Sequence, residues 1–463
     1  MDDNPVGPVG DPTDNGQIMQ HSPEKLLELA RAAVNAARKA GAEMADAAVS
    51  WSQAIAVELE ANSIKSAEAE SDGRLVVRCF YKGGRGHTSL NGKLDESGAR
   101  EAGRQAARLA RQSNPDPDFV SLPEMDPRPQ VPGLYDEAVA RLGVAEVMNV
   151  VHDNLEDALS AFPSALFEGG ASTHVTHRAL ANSLGVEHAW QSTFYDVGFS
   201  ALLREGDEVG MYYDMDMGRR LVDVAPAGLA RRAAELARGY VGGSSVTSGR
   251  MDLVLGPLAT WSTLGELASQ TGAESIQRGR SYMVGMQGSR VASEQLTLGD
   301  DAFIEAGISS GAFDGEGAPR QRVTTIDHGI FVNCLHNSYT AGKAGVENTG
   351  HGSMGGGVGP TNMQVELGSS TSDEIVAGVT RGIYIGHGSL GPDSSSGDVS
   401  ASIDFGQLIE DGRITRPVTN VMVSGHIFDF LQNIDAISSD TRDEPGLRLP
   451  TMRIRDVQVI GEK

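Results

Sequence analysis

Hydrophobic residues near the start of the chain recur first with a helical period and then with the period of a strand. Ser22-Pro23 supplies a capping hydroxyl and a first-turn proline for a helix. Alternating apolar residues then predict strands at residues 55–59 and 75–81, joined by a turn around residues 71–73. An Ala- and Arg-rich segment at residues 94–112 has the apolar spacing of a second helix. Helices and antiparallel strands that alternate in this way indicate an α+β layer.

A glycine-serine segment at residues 242–245 divides the rest of the chain. Before it, helical and strand-like patterns flank a proline-rich stretch at residues 114–133, which predicts an extended connector. After it, short strands and glycine turns dominate, with helical spacing at residues 260–270 and 373–381. We therefore predict an α+β fold with a disordered acidic tail at residues 1–21, an N-terminal α+β domain at residues 22–241 and a C-terminal mostly-β domain at residues 246–463.

The charge and the apolar content of the chain disfavour some classes of binding partner. The 463 residues include 38 basic and 62 acidic side chains, for a net charge of −24, which disfavours nucleic acid and anionic membranes as partners. No apolar run approaches the ~18 residues of a transmembrane helix, and the start of the chain has no signal-peptide pattern. These features predict a cytoplasmic protein. Cys79 and Cys334 lie in apolar runs, which predicts buried free thiols rather than a disulfide framework.

Motif spacing alone does not name a function. His174 and His177 lie in a β-prone segment, where residues three apart point to opposite faces of a sheet. His328, Cys334 and His336 have no metal-ligand signature, since residues 327–329 read as a turn and residues 331–335 as a buried strand. The glycine cluster at residues 350–359 lacks the Gly-Lys-Ser/Thr ending of a phosphate-binding loop. It reads instead as a flexible or tightly turning loop beside a binding channel.

A resemblance to a known family carries the analysis further. Residues 360–366 (Pro-Thr-Asn-Met-Gln-Val-Glu), 372–384, 408–418 and 424–440 resemble the TldD/PmbA family, also called TldD/TldE or "modulator of DNA gyrase". Upstream, residues 72–86, 99–111 and 181–186 fit the N-terminal part of the same family. The resemblance implies two domains and a dimer that encloses a narrow proteolytic channel. Family substrates are unfolded polypeptides and leader peptides. In the TldD branch, both histidines of a helical His-Glu-x-x-x-His motif and a later cysteine bind zinc, and the glutamate is the catalytic base.

This sequence departs from that motif at every functional position. A match anchored on residues 277–281 puts Leu264 and Ser269 where the histidines would stand, and Gly265 where the base would stand. Glu266 is one place out of register, which turns it about 100° around a helix. No cysteine follows Asp440. The resemblance therefore implies a PmbA/TldE-type chain that has no catalytic residue, metal ligand or cofactor of its own. Zinc is then expected on a TldD-like partner subunit in a heterodimer that binds an extended peptide.

Two loops are candidates for the channel lining, and two other functions stay open. The channel candidates lie in residues 350–359 and 392–397, and they are Gly350, His351, Gly355, Gly356, Gly357, Ser394 and Ser395. Plain surface turns are an equal alternative for both loops. One alternative function is a peptide-binding homodimer without hydrolytic activity. The other is a hydrolase with a relocated site built from Glu266, Glu274, His328 or His336.

Overall fold

The computed structural model describes residues 21–128 and 130–462 and has the predicted α+β architecture, with 24% helix and 41% strand. The predicted acidic tail at residues 1–21 therefore lies, except for His21, outside the described residues. None of the helices in the described part of the chain is long and apolar enough to cross a membrane.

A six-stranded antiparallel sheet organises the first half of the chain, in the strand order β3-β2-β1-β4-β5-β6. Its strands are β1 Met44–Glu60, β2 Ser63–Tyr81, β3 Gly84–Asn91, β4 Leu166–Asn182, β5 Glu187–Glu205 and β6 Glu208–Gly218. The helices of this half are α1 Pro23–Lys39, α2 Glu96–Gln112, α3 Glu137–Ala140, α4 Val144–Ala161 and α5 Leu229–Arg238, with a short 3-10 turn at Leu221–Asp223. Side chains of alternate residues on β1, such as Val49, Trp51 and Ile55, pack with the helices on one face of the sheet.

The predicted turn at residues 71–73 is wrong, because these residues lie inside β2. The β1–β2 hairpin turns instead at Ala61 and Asn62, which both have positive φ angles. Gly73 is required by close packing, since a Cβ there would lie 2.6 Å from the Gly92 carbonyl oxygen. The middle of β2 is polar and exposed, so the alternation that reveals a strand is missing although the backbone pairs with β1 throughout.

Two further sheets fill the second half of the chain. A four-stranded sheet has the order β10-β9-β8-β11, and an eight-stranded sheet has the order β13-β16-β18-β7-β12-β14-β15, with β17 paired to β18. The strands are β7 Gly249–Leu255, β8 Leu298–Asp301, β9 Arg322–Asp327, β10 Ile330–Phe331, β11 Met363–Val365, β12 Arg381–His387, β13 Asp398–Ser402, β14 Phe405–Glu410, β15 Arg413–Val418, β16 Met422–His426, β17 Ile434–Glu444 and β18 Leu447–Ile460. The helices are α6 Pro257–Gln270, α7 Ala273–Gln277, α8 Ser338–Ala344, α9 Ser372–Ala377 and α10 Ile427–Gln432.

Two predictions for this half need correction. The helix predicted at residues 373–381 ends at Ala377, and Arg381 already begins β12, whose partner strands bury its apolar residues. Of the strand predicted at residues 331–335, only Phe331 lies in a strand, the two-residue β10. The turn predicted at residues 327–329 is confirmed, since it joins β9 to β10.

A buried ion cluster joins the two halves. Arg78 on β2 donates from Nε to both oxygens of Asp46 on β1, at 3.1 Å each, and from Nη1 to Glu316 Oε1 at 2.8 Å. The second oxygen of Glu316 accepts the Ser338 backbone N–H at 2.9 Å, at the start of α8. Burial alone would raise the pKa of Glu316, but the charge and hydrogen bond of Arg78 outweigh it and hold that pKa below its usual value.

Candidate functional site

Helix α6 contains Leu264, Gly265 and Ser269, the residues predicted to stand at the three positions of the family's zinc motif. Pro257 occupies the first turn of this helix, where a missing backbone N–H costs nothing. Leu264 is fully buried in the main apolar core of the second half. Its side chain has no lone pair for a metal, and it packs with the sheet beneath the helix. Leu264, which is predicted to stand at the first histidine of the motif, is therefore a core residue.

The other two positions of the motif face outward. An ideal Cβ at Gly265 would meet no atom within 4 Å, so this position opens onto free space and has no side chain to act as a base. Ser269 is exposed and donates its hydroxyl to the Gly265 carbonyl oxygen at 3.0 Å. A serine hydroxyl is not among the usual ligands of zinc. The donor set at these positions therefore does not fit a zinc ion.

Each residue of the alternative hydrolase has a local partner of its own. Glu266 accepts a hydrogen bond from Ser389 at 3.4 Å, and burial raises the pKa of its carboxyl group. Glu274 is paired with Arg278 one helical turn away. His328 is exposed and its imidazole contacts the carboxylate of Asp327. His336 is buried and its imidazole contacts the hydroxyl of Thr340. No group of three His, Cys, Asp or Glu side chains that could hold a metal ion occurs within residues 21–128 and 130–462.

Two predictions made from local patterns are confirmed: His174 and His177 lie on opposite faces of β4, and both cysteines are buried free thiols. His174 is half-exposed beside Ser172, while His177 is buried on the opposite face of β4 and contacts the backbone carbonyl of His21. Cys79 and Cys334 are both free and buried. Burial is the main reason that the thiol pKa values rise to about 12 and about 11, respectively.

A cavity of about 810 Å³ lies between the two halves of the chain. Its floor is the face of the six-stranded sheet that the helices leave uncovered, including Ala48 and Ser50 of β1. Its roof consists of C-terminal loops at residues 308–315 and 352–361. Its volume is within the range of ligand-binding clefts, roughly 300–1,000 Å³.

The predicted channel residues occupy different positions with respect to this cavity. Gly355 lines it, and Gly356 and Gly357 continue the same tight turn, in which the Ser353 N–H bonds the Gly357 carbonyl at 2.9 Å. Gly350 and His351 are buried behind the loop.

The buried His351 supports the loop from within. Its Nε2 lies 2.9 Å from Asp300 Oδ1, and its Nδ1 lies 2.9 Å from the hydroxyl of Thr349. Ser394 and Ser395 belong to a separate exposed loop, in which Asp393 accepts the Ser395 and Ser396 backbone N–H groups.

Sequence reasoning missed the cations of the cavity wall. Arg74, Arg178, Arg219 and Arg320 all line the cavity, although they are far apart along the chain. Side chains of β2 and β4 alternate between the two faces of the sheet, and Arg74 and Arg178 lie on the face that carries other polar residues. This alternation could have revealed both arginines. The other two lie in segments that have no regular period.

Two family models match this chain. The PmbA/TldA metallopeptidase central domain matches residues 137–239, and the PmbA/TldA metallopeptidase C-terminal domain matches residues 248–461. The chain belongs to the PmbA/TldD family. Membership agrees with the motifs of residues 360–440, and it places the chain among metallopeptidase-like proteins.

Individual relatives extend the match over the whole chain. Metalloprotease PmbA of Escherichia coli O157:H7 is 22% identical over 459 residues, which are 96% of this chain and 97% of that protein. A metalloprotease of Methanothermobacter thermautotrophicus is 31% identical over 223 residues, so the match spans about half of each chain. The crystal structure of TldE from Thermococcus kodakarensis has a TM-score of 0.82 at 22% identity, covering 94% of this chain and 100% of that one. A metalloprotease TldD homologue of Buchnera aphidicola matches 37% of each chain at 31% identity.

Proposed function

We propose that this chain is the non-catalytic, TldE-type subunit of a zinc peptidase, which closes the substrate channel over the active site of a TldD-type partner. The observation that carries the proposal is helix α6, where Leu264 is a core residue, Gly265 has no side chain and Ser269 bonds its own helix. Family membership supplies the reaction class, and the composition of this helix removes the metal and the base from this chain.

The cavity between the two halves supports a role for this chain in substrate binding. Its floor is the N-terminal sheet and its roof consists of C-terminal loops. Here the cavity and its glycine turn at residues 352–357 are supported by a buried His351–Asp300 pair and by the Asp314 hydrogen bond to the Gly352 N–H at 2.8 Å. Such a site would hold an unfolded polypeptide or leader peptide in extended form, in the cytoplasm, while the partner hydrolyses it.

The test combines this chain with a TldD-type subunit that carries His-Glu-x-x-x-His. Zinc content is measured by elemental analysis for each chain alone, and hydrolysis of an unstructured peptide is measured for each chain and for their mixture. We expect zinc well below one per chain here, about one per chain in the partner, and hydrolysis that requires both chains. Replacement of the first motif histidine of the partner by alanine should abolish hydrolysis, while sedimentation still detects the mixed dimer.

Two variants of this chain separate the proposal from the hydrolase with a relocated site. Glu266→Gln removes the half-buried carboxylate beside Ser389, and Glu235→Gln removes an exposed carboxylate on α5 as a matched control. Both variants should leave hydrolysis by the mixture unchanged. Stoichiometric zinc in this chain, or a loss of activity confined to Glu266→Gln, would contradict the proposal. A homodimer that shows no association with the partner would favour the alternative of a peptide-binding homodimer.

A further inference from the structure

The cavity wall concentrates positive charge in a strongly acidic chain. Arg74, Arg178, Arg219 and Arg320 line the cavity, yet none of them forms an ion pair with a carboxylate anywhere in the described residues. The wall has one acidic residue, Asp314. The oxygens of Asp314 already accept the backbone N–H groups of Gly352, Glu316 and Ala318 at 2.8–2.9 Å.

Strand register places two of these arginines in one row across the sheet. Arg74 on β2 is opposite Ser50 on β1, and Ser50 is opposite Arg178 on β4. The row continues to Trp190 on β5. Because neighbouring strands are about 5 Å apart, the two arginines flank the Ser50 hydroxyl at a backbone separation of about 10 Å. Neither arginine side chain makes a hydrogen bond to any residue that the structure describes.

The other two arginines are held in place by backbone carbonyls. Arg219 donates from Nε to the Gly307 oxygen and from Nη1 to the Thr193 oxygen, at 3.0 Å each. Arg320 donates from Nε to the Phe313 oxygen at 3.0 Å. Burial lowers the pKa of both side chains, that of Arg219 to about 10. The charges of Asp314 and Asp300 partly offset this effect at Arg320, whereas the charge of Arg178 lowers the pKa of Arg219 further. Arg178 and Arg219 therefore repel each other, and a bound anion would relieve that repulsion.

We propose that this cavity binds the carboxylates of an acidic peptide segment, with Arg74 and Arg178 as the primary contacts. The planar guanidinium groups match a carboxylate in two-pronged geometry, and such charge-assisted bonds are roughly twice as strong as neutral ones. That the ligand is a peptide rests on the proposed function. The anionic character rests on the cavity alone. A nucleic acid is disfavoured because the cleft is concave and the surrounding chain carries a net charge of −24.

The test measures peptide binding to the full chain without any partner, so it requires no hydrolysis. The probe is a fluorescein-labelled, C-terminally amidated hexapeptide with two glutamates, compared with the same peptide carrying two glutamines, by fluorescence anisotropy. A third probe, the glutamine peptide with a free C-terminal carboxylate, distinguishes a terminal carboxylate from side-chain carboxylates as the preferred ligand. We expect the glutamate peptide to bind about tenfold or more tightly than the amidated glutamine peptide, with affinity that falls as salt rises.

Matched variants assign the effect to the cavity. Arg178→Gln should reduce affinity for the glutamate peptide about tenfold, whereas Arg204→Gln, an exposed arginine at the far end of β5, should leave it unchanged. Thermal unfolding verifies the fold of each variant, and Arg74→Gln provides a second test if Arg178→Gln is unstable. Equal affinity for the two amidated peptides would overturn the proposal. So would equal effects of the cavity and control variants, or full displacement of the peptide by inorganic phosphate at comparable concentration.

The outcome is separable from that of the proposed function. An inactive mixture with the partner, together with selective binding of the glutamate peptide, would reject the peptidase role and keep the anion site. An active mixture with no preference for acidic peptides would do the reverse.

Discussion

Two arginines on the same face of the six-stranded sheet have opposite surroundings. Arg78 on β2 is 4% exposed and lies between the carboxylates of Asp46 and Glu316. Arg178 on β4 opens into the cavity, and no carboxylate of residues 21–128 and 130–462 lies within ion-pair distance of it. Along β1 their cross-strand neighbours are Asp46 and Ser50, which places the two environments only about 13 Å apart.

The difference shows how one sheet face serves both stability and binding. Where the C-terminal half reaches the sheet, Glu316 completes an ion cluster that ties the halves together. Where its loops stand away from the sheet, the same kind of side chain is left without a partner and lines a cavity. The chemistry of an arginine is the same at both places, so the presence or absence of a carboxylate decides its role.

Arg78→Met should have the largest effect on stability. It removes the cation and leaves the buried carboxylates of Asp46 and Glu316 facing each other, a loss that costs about 3–5 kcal/mol in comparable buried pairs. Chemical denaturation followed by circular dichroism measures the change in the free energy of unfolding. The control is Arg178→Met, which removes the same charge from the cavity wall and should change the free energy of unfolding by less than about 1 kcal/mol. Equal losses in the two variants would contradict the comparison.

The contribution of Arg78 to the free energy of unfolding should also depend on pH. Glu316 has a pKa below its unfolded value of about 4.3, so the stability it adds is present above that pH and is lost as the pH falls through the folded pKa. In Arg78→Met the cation no longer lowers the pKa of Glu316, and only the Ser338 hydrogen bond still opposes the effect of burial. That pKa therefore rises, so the variant loses stability relative to the wild type as the pH rises. The gap between wild type and variant should be widest near neutrality and narrow below about pH 4. Denaturation curves across this range measure it, and a constant gap would show that packing rather than charge explains the loss.

Much of the fold could be predicted from local pattern. The prediction of the first helix succeeds because a capping serine, a first-turn proline and the apolar spacing all agree in α1, whose N-cap Ser22 accepts the Lys25 N–H. The turn predicted at residues 71–73 fails because glycine marks both turns and close approaches. Only the tertiary contact of Gly73 with Gly92 distinguishes the two.

The candidate site was predictable only in part. The resemblance assigns Leu264, Gly265 and Ser269 to the motif, because the motif has a fixed spacing within one helix, and this assignment stays a prediction. The group of arginines that lines the cavity could not be predicted from the sequence. Arg178 and Arg320 come from opposite halves of the chain, and they line the same cavity only because the C-terminal loops cover the sheet. Residues distant in sequence and without a shared period give no local signal. Our expectation that Gly355 lies beside a channel remains a prediction until a ligand is tested.

Repulsion between arginines of the cavity wall should make the free energy of unfolding depend on salt concentration. At low sodium chloride Arg178→Met should be as stable as the wild type or more stable by up to about 1 kcal/mol, because the variant removes the like charge beside Arg219. Added salt should stabilise the wild type more than the variant, since screening relieves the same repulsion. Thermal unfolding at low and high salt measures this difference. Arg204→Met is the matched control, and a salt response in the control equal to that of Arg178→Met would rule out a cavity-specific repulsion.

The smallest expected effect is a change in the pKa of His87, which also lines the cavity. Burial lowers the pKa of this imidazole, and the charges of Arg85, Arg78 and Arg74 lower it further. Arg74→Gln should therefore raise the pKa of His87, whereas Arg204→Gln should leave it unchanged. A pH titration of the histidine ring protons by NMR reports the shift directly, with His87→Gln used to assign the resonance. Binding of an acidic peptide should shift the pKa in the same upward direction, since a carboxylate beside Arg74 offsets its charge. A pKa that responds to neither change would mean that the positive charge of the wall is screened by solvent before it can act on a ligand.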